Sequence, residues 1–205
     1  MKIIHAVTSG DIGRAKALFL EYAASLGFEL CFQSFDEELA GLPGEYAPPS
    51  GVLLIAVEEA VESAFGPWGG GSAEDSGKVP AEVSAGVSAG GSAEGSAEGF
   101  AEGSGEGFGD GEAMGCVALR RLDTETCEMK RLYVRPPSRG KGIGRTLVET
   151  TIGHARRIGY KRMRLDAIRN MTAAVGLYTS MGFEEIAPYR HNPIAGAVYM
   201  ELSLE

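Results

Sequence analysis

The sequence lacks a long apolar run. Short apolar stretches such as Val52–Val57 fall far below the ~20 residues that a membrane-spanning helix needs, so no membrane partner is expected. The first stretch, 1–7, carries one lysine, and the polar residues that begin at Ser9 end it too early for a signal peptide. These absences predict a cytoplasmic protein.

Cysteine is scarce as well. The three cysteines, Cys31, Cys116 and Cys127, are an odd number without the spacing of a disulfide framework or a metal site. We expect small buried side chains in a reducing compartment, and no metal. Cys116 and Cys127 lie on neighbouring apolar runs, so a disulfide between them stays an alternative.

The chain has no excess of basic residues. Its 19 Lys and Arg face 28 Asp and Glu, which gives a net charge of −9. The segment 60–112 holds ten acidic residues and one lysine, so it accounts for the whole net charge and the rest of the chain is balanced. This distribution does not predict nucleic-acid binding.

Large apolar residues are rare over 66–112. Gly, Ala, Ser and Glu dominate there in a four-residue repeat, as in Ser92-Ala-Glu-Gly. A glycine at every fourth position costs helix stability, about 1 kcal/mol each relative to alanine, and no apolar stripe forms. We predict a single domain over 1–205, interrupted by a flexible, disordered, low-complexity insertion at about 62–112. The aromatic residues of 66–112 could contact a partner; they are Trp68, Phe100 and Phe108.

Outside that segment, hydrophobic periodicity predicts helices and strands in mixed order. Helices are predicted at 9–26, 35–42, 141–159 and 171–181, the last with Asn170 as its N-cap. Strands are predicted at 2–7, 52–57, 115–122, 127–134, 163–167, 183–186 and 197–204. This order predicts an α+β fold with a single mixed, mostly antiparallel sheet flanked by helices.

The most informative stretch, 134–145, reads Val-Arg-Pro-Pro-Ser-Arg-Gly-Lys-Gly-Ile-Gly-Arg. Pro136 and Pro137 end the strand before it, because proline cannot donate to a strand ladder. Alternate glycines then open a helix whose free N–H groups and positive dipole end favour anions. Three cations flank them, and we predict a phosphate or pyrophosphate site. Glycines and cations are Gly140, Gly142, Gly144, Arg139, Lys141 and Arg145.

This stretch resembles a known signature. Residues 139–144 are similar to the Arg/Gln-x-x-Gly-x-Gly/Ala motif of the GNAT superfamily of acyl-CoA-dependent N-acetyltransferases, and the strand 128–134 and the segment 177–183 resemble that family too. The resemblance covers 114–204 well and 1–58 loosely. It implies a GNAT-like fold and acetyl-CoA as acyl donor, without a metal. The implied cofactor-binding residues are Leu132, Val134, Arg139, Gly140, Lys141, Gly142, Ile143, Gly144 and Arg145.

The resemblance also implies two catalytic residues. Tyr178 matches the tyrosine that faces the leaving sulfur, and a phenol suits proton return to a thiolate. Glu128 matches a carboxylate that deprotonates the amine in some branches. It lies six residues before Val134, so period two predicts the same strand face. The alternative for Glu128 is a carboxylate that only orients groups around it. Where many members have Asn, this chain has Met171.

Several residues are candidates for acceptor binding. The first helices form one cleft wall in this superfamily, which implies Phe28 and Phe32. Lys130 and Arg131 could bind a substrate carboxylate, although we expect at least one of them to be solvated. The segment 188–197 overhangs the acceptor in the superfamily, which implies Tyr189 and Asn192.

We therefore expect acetyl transfer from acetyl-CoA to a primary amine of a small-molecule or amino-acid-like acceptor. Two alternatives stay open: a protein or peptide acceptor, and an acyl-CoA-binding regulatory module without turnover. A nucleotide-binding domain ranks low, because the glycines lack the Rossmann spacing and the Walker Lys-Ser/Thr end. The sequence does not give the oligomeric state, and a homodimer stays open.

Overall fold

The computed structural model describes residues 1–27, 34–59 and 111–205. Its helices are α1 (Ser9–Ser25), α2 (Phe35–Ala40), α3 (Ile143–Ile158) and α4 (Thr172–Ser180). Its strands are β1 (Lys2–His5), β2 (Val52–Val57), β3 (Ala113–Arg121), β4 (Thr126–Val134), β5 (Arg162–Ile168), β6 (Glu184–Ile186) and β7 (Ala197–Ser203). Two short 3₁₀ turns span Gly44–Tyr46 and Pro136–Ser138.

The strands of the described residues form one seven-stranded sheet in the order β1-β2-β3-β4-β5-β7-β6. Only β4 and β5 pair in parallel, whereas the other neighbours are antiparallel. The predicted α+β fold with a single mixed, mostly antiparallel sheet flanked by helices is confirmed. None of the helices in the described ranges is long and apolar enough to cross a bilayer.

Each face of the sheet carries its own apolar core, because the strand side chains alternate. On one face, α3 packs Leu147 and Val148 against Leu119 and Met163. On the other face, α1 contributes Leu18 and Phe19 to a core that includes Ile55. Burial of these side chains is the main stabilising term for such a layered fold.

The two described cysteines lie in different cores. Cys127 belongs to the α3 side and Cys116 to the α1 side, and both are free and buried. The expectation of small buried side chains is confirmed for this pair, and the alternative disulfide is wrong because the sheet separates them. Cys31 lies outside the described residues.

The strand β4 contains a bulge that the sequence pattern did not predict. Lys130 faces Ala118 and Tyr133 faces Cys116, so β4 has one residue more than β3 between these pairs. Arg131 adopts a left-handed conformation there, with φ 59°. A bulge reverses the alternation of side chains, and the expected common face of Glu128 and Val134 is therefore wrong. Val134 packs on the α3 side, and Glu128 points to the opposite side with Arg120.

Beyond Glu128 the parallel pair separates. The pairing of β4 with β5 covers only Thr126 to Glu128 against Arg162 to Arg164. The remaining residues of β4, up to Val134, diverge from the end of β5 at Ile168. This gap opens a pocket in the middle of the sheet.

The predicted insertion at about 62–112 lies almost entirely outside the described residues, which resume at Gly111. Its two flanks are adjacent. Val57 pairs with Ala113, and the N–H of Glu58 donates to the carbonyl of Glu112 at 3.0 Å. β2 and β3 are therefore adjacent antiparallel strands on either side of residues 60–110.

Candidate active site

The gap between β4 and β5 is a pocket of about 690 Å³, including its open mouth. Strand residues from both sides of the gap, the start of α4 and the end of α1 form its walls. It is lined by Tyr22, Leu26, Met129, Lys130, Arg131, Leu132, Leu165, Asp166, Ala167, Ile168, Met171, Ala174, Tyr178 and Asn192. Five predicted site residues meet there: Lys130, Arg131, Leu132, Tyr178 and Asn192.

The turn 139–145, which we call the cofactor turn, follows β4 on the α3 side. Gly142 is the N-cap of α3 with a left-handed φ of 79°, and no side chain caps the helix. The first helical N–H to reach a backbone carbonyl is that of Thr146, which bonds Gly142 at 3.1 Å. The preceding N–H groups of Ile143, Gly144 and Arg145 are therefore left for another acceptor, as expected at an uncapped helix start.

The cations of the cofactor turn are exposed, but two of them are anchored. Arg139 donates from Nε to the carbonyl of Val134 at 2.9 Å, and its guanidinium lies 5.9 Å from the ring centroid of Tyr133. Arg145 donates to Ser180 Oγ at 2.7 Å. These contacts hold positive charge close to the uncapped helix end without burying it.

The cofactor turn has room for a phosphate group. A Cβ built on Gly140 or Gly142 would meet no atom within 4 Å, and both residues have a positive φ. Glycine therefore serves backbone conformation and access here. A Cβ on Gly144 would lie 3.7 Å from Leu177 and from Val134. That contact joins the turn to α4 one residue before Tyr178, so the residues present fit a pyrophosphate at the turn and an acyl arm toward the pocket.

Tyr178 lies on α4 with 7% of its surface exposed. Its ring packs on Phe183 at a centroid distance of 5.8 Å, and burial raises its pKa above the ordinary value. Within the described part of the chain, its hydroxyl makes no hydrogen bond to another residue. Tyr178 therefore carries its proton at neutral pH and presents an uncommitted donor in the pocket wall.

Glu128 is fully buried and is held by three side chains. Arg120 Nε donates to its Oε2 at 2.8 Å, and the hydroxyl of Tyr189 donates to its Oε1 at 2.7 Å. Arg190 Nε lies 3.4 Å from the same Oε1. Glu128 does not line the pocket, so its carboxylate joins β4 to the segment that follows β6.

Asp166 is a pocket residue that the sequence analysis missed. On β5 it accepts hydrogen bonds from Arg190 Nη2 and from Asn192 Nδ2, the latter at 2.8 Å. Together Glu128 and Asp166 hold 189–192 at the pocket. The available signal was the alternation in β5, where Arg164 and Asp166 share a polar face between apolar residues.

The expectation that Lys130 or Arg131 is solvated is wrong, because both are buried, with 7% and 5% of their surface exposed. Arg131 donates to both oxygens of Glu38 on α2, at 2.9 and 2.5 Å. Burial opposes ionisation of Glu38, but the bonds from Arg131 hold its pKa below the ordinary value. Burial lowers the pKa of Lys130 to about 8, against the attraction of Glu128.

Two other expectations concern residues around the pocket. The N-cap of α4 is Met171, which lines the pocket, so the prediction of Asn170 as N-cap is wrong. Asn170 is exposed at the preceding turn. Phe28 and Phe32 lie outside the described residues.

Comparison with known proteins places the chain among acetyltransferases. The profile of the Acetyltransferase (GNAT) family matches residues 96–183. An uncharacterized N-acetyltransferase of Dictyostelium discoideum is 42% identical over 218 aligned positions, which cover 100% of this chain and 99% of that protein. Another, of Schizosaccharomyces pombe, is 33% identical over 195 residues, which cover 95% of this chain and 89% of that protein. The chain belongs to the GNAT acetyltransferase family.

Solved GNAT structures share its fold. A GNAT acetyltransferase from Staphylococcus aureus Mu50 has a TM-score of 0.64 at 14% identity and covers 100% of this chain and 99% of its own. The yncA protein of Salmonella typhimurium, solved with its cofactor acetyl-CoA, has a TM-score of 0.55 at 18% identity and covers 100% and 94%. By family and fold, this GNAT protein is an acetyl-CoA-dependent acyltransferase.

Proposed function

We propose that this GNAT enzyme transfers the acetyl group of acetyl-CoA to a primary amine of a small-molecule or amino-acid-like acceptor. The observation that carries the proposal is the pocket between β4 and β5. It brings together Leu132, on the strand that leads to the cofactor turn, and Tyr178, whose hydroxyl is uncommitted. An amine acceptor would reach both through the mouth of this pocket.

The cofactor turn would bind the pyrophosphate of acetyl-CoA. Its uncapped N–H groups and the cations Arg139, Lys141 and Arg145 supply hydrogen bonds and positive charge. The backbone of Leu132 and Val134, beyond the last residue that β4 pairs with β5, would bind the thioester carbonyl and the pantetheine arm. Bound acetyl-CoA supplies an activated acyl group as a thioester.

Tyr178 would act as general acid. The reaction releases a thiolate, which needs a proton, and the hydroxyl of Tyr178 holds one because burial raises its pKa. At ordinary pKa values a phenol and a thiolate are close in basicity, which favours proton transfer, and the burial that raises the pKa of Tyr178 would raise that of the leaving thiol in the same direction. The released proton of the amine would leave by water through the pocket mouth.

For Glu128 we propose the orienting role. Both of its carboxylate oxygens accept hydrogen bonds within the protein, and Glu128 does not line the pocket. Through Tyr189 and Arg190 it would position the segment that brings Asn192 to the acceptor. The competing role, direct deprotonation of the amine, predicts a different dependence of rate on pH.

We also propose that the chain is one catalytic domain with an inserted segment. The described residues on both sides of 60–110 belong to one compact unit and one sheet. The pocket uses residues from both sides, such as Tyr22 and Tyr178.

The test is release of CoA thiol from acetyl-CoA with a panel of small amines, amino acids and peptides. The proposal expects release with small acceptors. Release with peptides alone would favour the protein-acceptor alternative, and acetyl-CoA binding without release with any acceptor would favour a regulatory module.

A further inference from the structure

Two of the three histidines of the chain lie side by side, outside the candidate active site. His5 Nε2 and His154 Nε2 are 3.1 Å apart, although 149 residues separate them in the sequence. Neither residue lines the pocket. The third histidine, His191, is exposed in the segment after β6. Imidazole is the commonest protein ligand of metals, so a pair of imidazole nitrogens at this distance is a candidate metal site.

The fold brings the two histidines together from the edge of the sheet and from the helix that covers it. In the edge strand β1, Ile3 packs on the α3-side core and Ile4 on the α1-side core. His5 is two residues after Ile3, so it points to the α3 side as well. On α3, His154 lies three residues after the buried Thr151, a spacing that places both on one side of a helix. The pairing therefore follows from the alternation of β1 and from the periodicity of α3.

The geometry of the pair fits two ligands of one ion. With metal–nitrogen bonds of about 2.0 to 2.1 Å, two ligands at tetrahedral or right angles are about 2.9 to 3.4 Å apart, and the observed 3.1 Å lies in this range. The ring centroids are 4.4 Å apart and the ring planes meet at 76°. A straight N–H···N hydrogen bond would place the centroids more than about 5 Å apart. The two rings are therefore inclined to the line between their nitrogens, as they are when both bind one ion.

The pair is accessible, and its environment favours neutral imidazole, the form that binds a metal. The pKa of His154 is lowered first by partial burial and then by repulsion from His5 and from Arg157 on the next turn of α3. Arg157 is exposed, so water screens its repulsion of an ion. His5 is exposed and His154 is half-buried. An ion can therefore reach the pair from solvent and keep water in its other coordination positions.

The ligand atoms select the class of ion. Within the ranges that the structure describes, no group of three or more His, Cys, Asp and Glu side chains could hold a metal. The described residues therefore supply two nitrogen ligands, and water can fill the other positions. Imidazole suits Zn²⁺, Ni²⁺ and Cu²⁺, whereas Mg²⁺ and Ca²⁺ take oxygen ligands.

We propose that His5 and His154 form a binding site for a divalent transition-metal ion, and that the bound ion links the edge strand β1 to α3. Among the described strands, β1 pairs only with β2, so the ion would add a link to the helix that the backbone does not provide. Because the site forms only in the folded chain, ion binding would stabilise the fold. The site is separate from the proposed acyl transfer, and its test needs no turnover.

The first test compares three variants of the full chain, freed of metal with a chelator and titrated with ZnCl₂ or NiCl₂ in a calorimeter at about pH 7.5. His5→Gln and His154→Gln should each weaken the tightest binding by about 10²-fold, because a single ligand loses the gain from holding the ion twice. His191→Gln is the matched control, since it removes an exposed histidine outside the pair, and it should stay within about twofold of wild type. The melting temperature should rise with metal in wild type and in the control, and not in the other two variants.

The second test reads the ligands directly. Electron paramagnetic resonance of bound Cu²⁺ should show coupling to two nitrogens in wild type and in His191→Gln, and to at most one in either variant of the pair. Acidification to about pH 5.5 should release the ion from wild type, because protons compete for both imidazoles. Both side chains lie at the surface, so the variants should fold, and their melting temperatures without metal check this.

Several results would overturn the proposal. Equal affinity in wild type and in both variants of the pair would mean an adventitious ion only, and so would equal binding of Mg²⁺ and Zn²⁺. A loss in one variant of the pair but not in the other would mean a single ligand instead of a shared site. Absence of binding by wild type at about 1 mM metal, a very weak affinity, would also exclude the site.

Discussion

The cofactor turn and the acceptor side of the pocket are built in opposite ways. The cofactor turn consists of neighbouring residues, 139–145, whose side chains are largely exposed and whose backbone N–H groups would form the proposed phosphate site. The acceptor side has charged side chains from α2, β3, β4, β5 and the segment after β6, with exposed fractions from 0 to 24%. We call them the acceptor-side cluster: Glu38, Arg120, Glu128, Lys130, Arg131, Asp166 and Arg190. The residues of the cofactor turn are consecutive in the sequence, whereas those of the acceptor-side cluster are brought together only by folding.

Because of this difference, we expect substitutions in the cofactor turn to affect ligand binding alone, and substitutions in the acceptor-side cluster to affect stability as well. At the cofactor turn, a substitution changes what the backbone offers to a ligand and leaves the core alone. In the acceptor-side cluster, a substitution removes a partner from a buried charge, which costs stability as well as activity. The predictions below test that separation, from the largest expected effect to the smallest.

Gly142→Asp should abolish useful binding of acetyl-CoA. A carboxylate at this N-cap would face the phosphates, and two unit charges about 4 Å apart repel by about 4 kcal/mol at an effective dielectric constant of 20. That energy corresponds to a roughly thousandfold weaker Kd, measured by calorimetry. The melting temperature of the free protein should hardly change, because a Cβ at Gly142 meets no atom within 4 Å and Asp tolerates the left-handed conformation.

The matched control is Gly142→Asn, which has the same size and also tolerates a positive φ. It should weaken binding far less than Asp does, since only the charge differs. An Asp variant that binds acetyl-CoA as wild type does would mean that the phosphates bind elsewhere. Equal losses for Asp and Asn would assign the effect to backbone access and not to charge.

Tyr178→Phe tests the proposed general acid, which lines the pocket. The ring still packs on Phe183, and only the proton donor is lost. We expect kcat to fall by about 10²-fold, the low end for general acid catalysis, with an unchanged Kd for acetyl-CoA. Normal turnover would make Tyr178 a packing residue and leave water as the proton donor.

The sequence predicted most of the fold because its signals are local. The apolar periods of Val52–Val57 and of the α3 helix gave element bounds within one or two residues, and the glycine pattern located the cofactor turn. The bulge at Arg131 was missed because alternation was assumed to continue through β4. The extra residue places every later side chain of β4 on the opposite face from the one predicted. Glu128 and Val134 therefore lie on opposite faces of the sheet and not on the same face.

The acceptor side was only partly predictable. Lys130 and Asn192 were named as candidates, but Asp166 was not, because the alternation of Arg164 and Asp166 in β5 indicates only a polar strand face until their partners are known. Arg190 and Asn192 come from 24 to 26 residues further along the chain. Burial of Arg131 likewise depends on Glu38, which is 93 residues away.

Glu128→Gln should give a moderate effect of a different kind. The amide keeps the size but loses the charge that pairs with Arg120 and Arg190, so the segment 189–192 loses its anchor. We expect kcat/KM to fall by about tenfold at every pH from 6 to 9, together with a lower melting temperature, because a buried charge loses its partner. Steady-state rates across this range and thermal unfolding measure both.

The contrasting outcome is a rate that recovers as pH rises. Recovery would mean that free amine replaces a missing base, and Glu128 would then be the general base instead of a positioning residue. Glu125→Gln is the control, because Glu125 pairs with Lys161 at 2.7 Å just before β4, and neither residue lines the pocket. It should lower the melting temperature slightly and leave the pH profile unchanged.

The smallest effect is expected from removing the segment 60–110. Its glycine-rich composition cannot form an apolar core. The flanks are already joined, since Val57 pairs with Ala113 and Glu58 bonds Glu112. A four-residue Gly-Ser bridge from Glu59 to Gly111 should therefore close the hairpin without strain. Kd for acetyl-CoA and kcat/KM for the acceptor should stay within about twofold of wild type.

The melting temperature of this deletion variant should not fall below that of the full chain. A shorter loop loses less entropy on closure, about 0.6 kcal/mol for each halving of its length, so a rise of a few degrees is expected. Proteolysis of the full chain should start within 60–110 and leave activity intact. The companion variant keeps the segment and replaces Trp68, Phe100 and Phe108 with serine, and it should match wild type in melting temperature and rate. A lower melting temperature in either variant would mean that the segment packs on the domain. Its aromatic residues would then belong to the core. The segment would be a third region that matters for stability, besides the cofactor turn and the acceptor-side cluster.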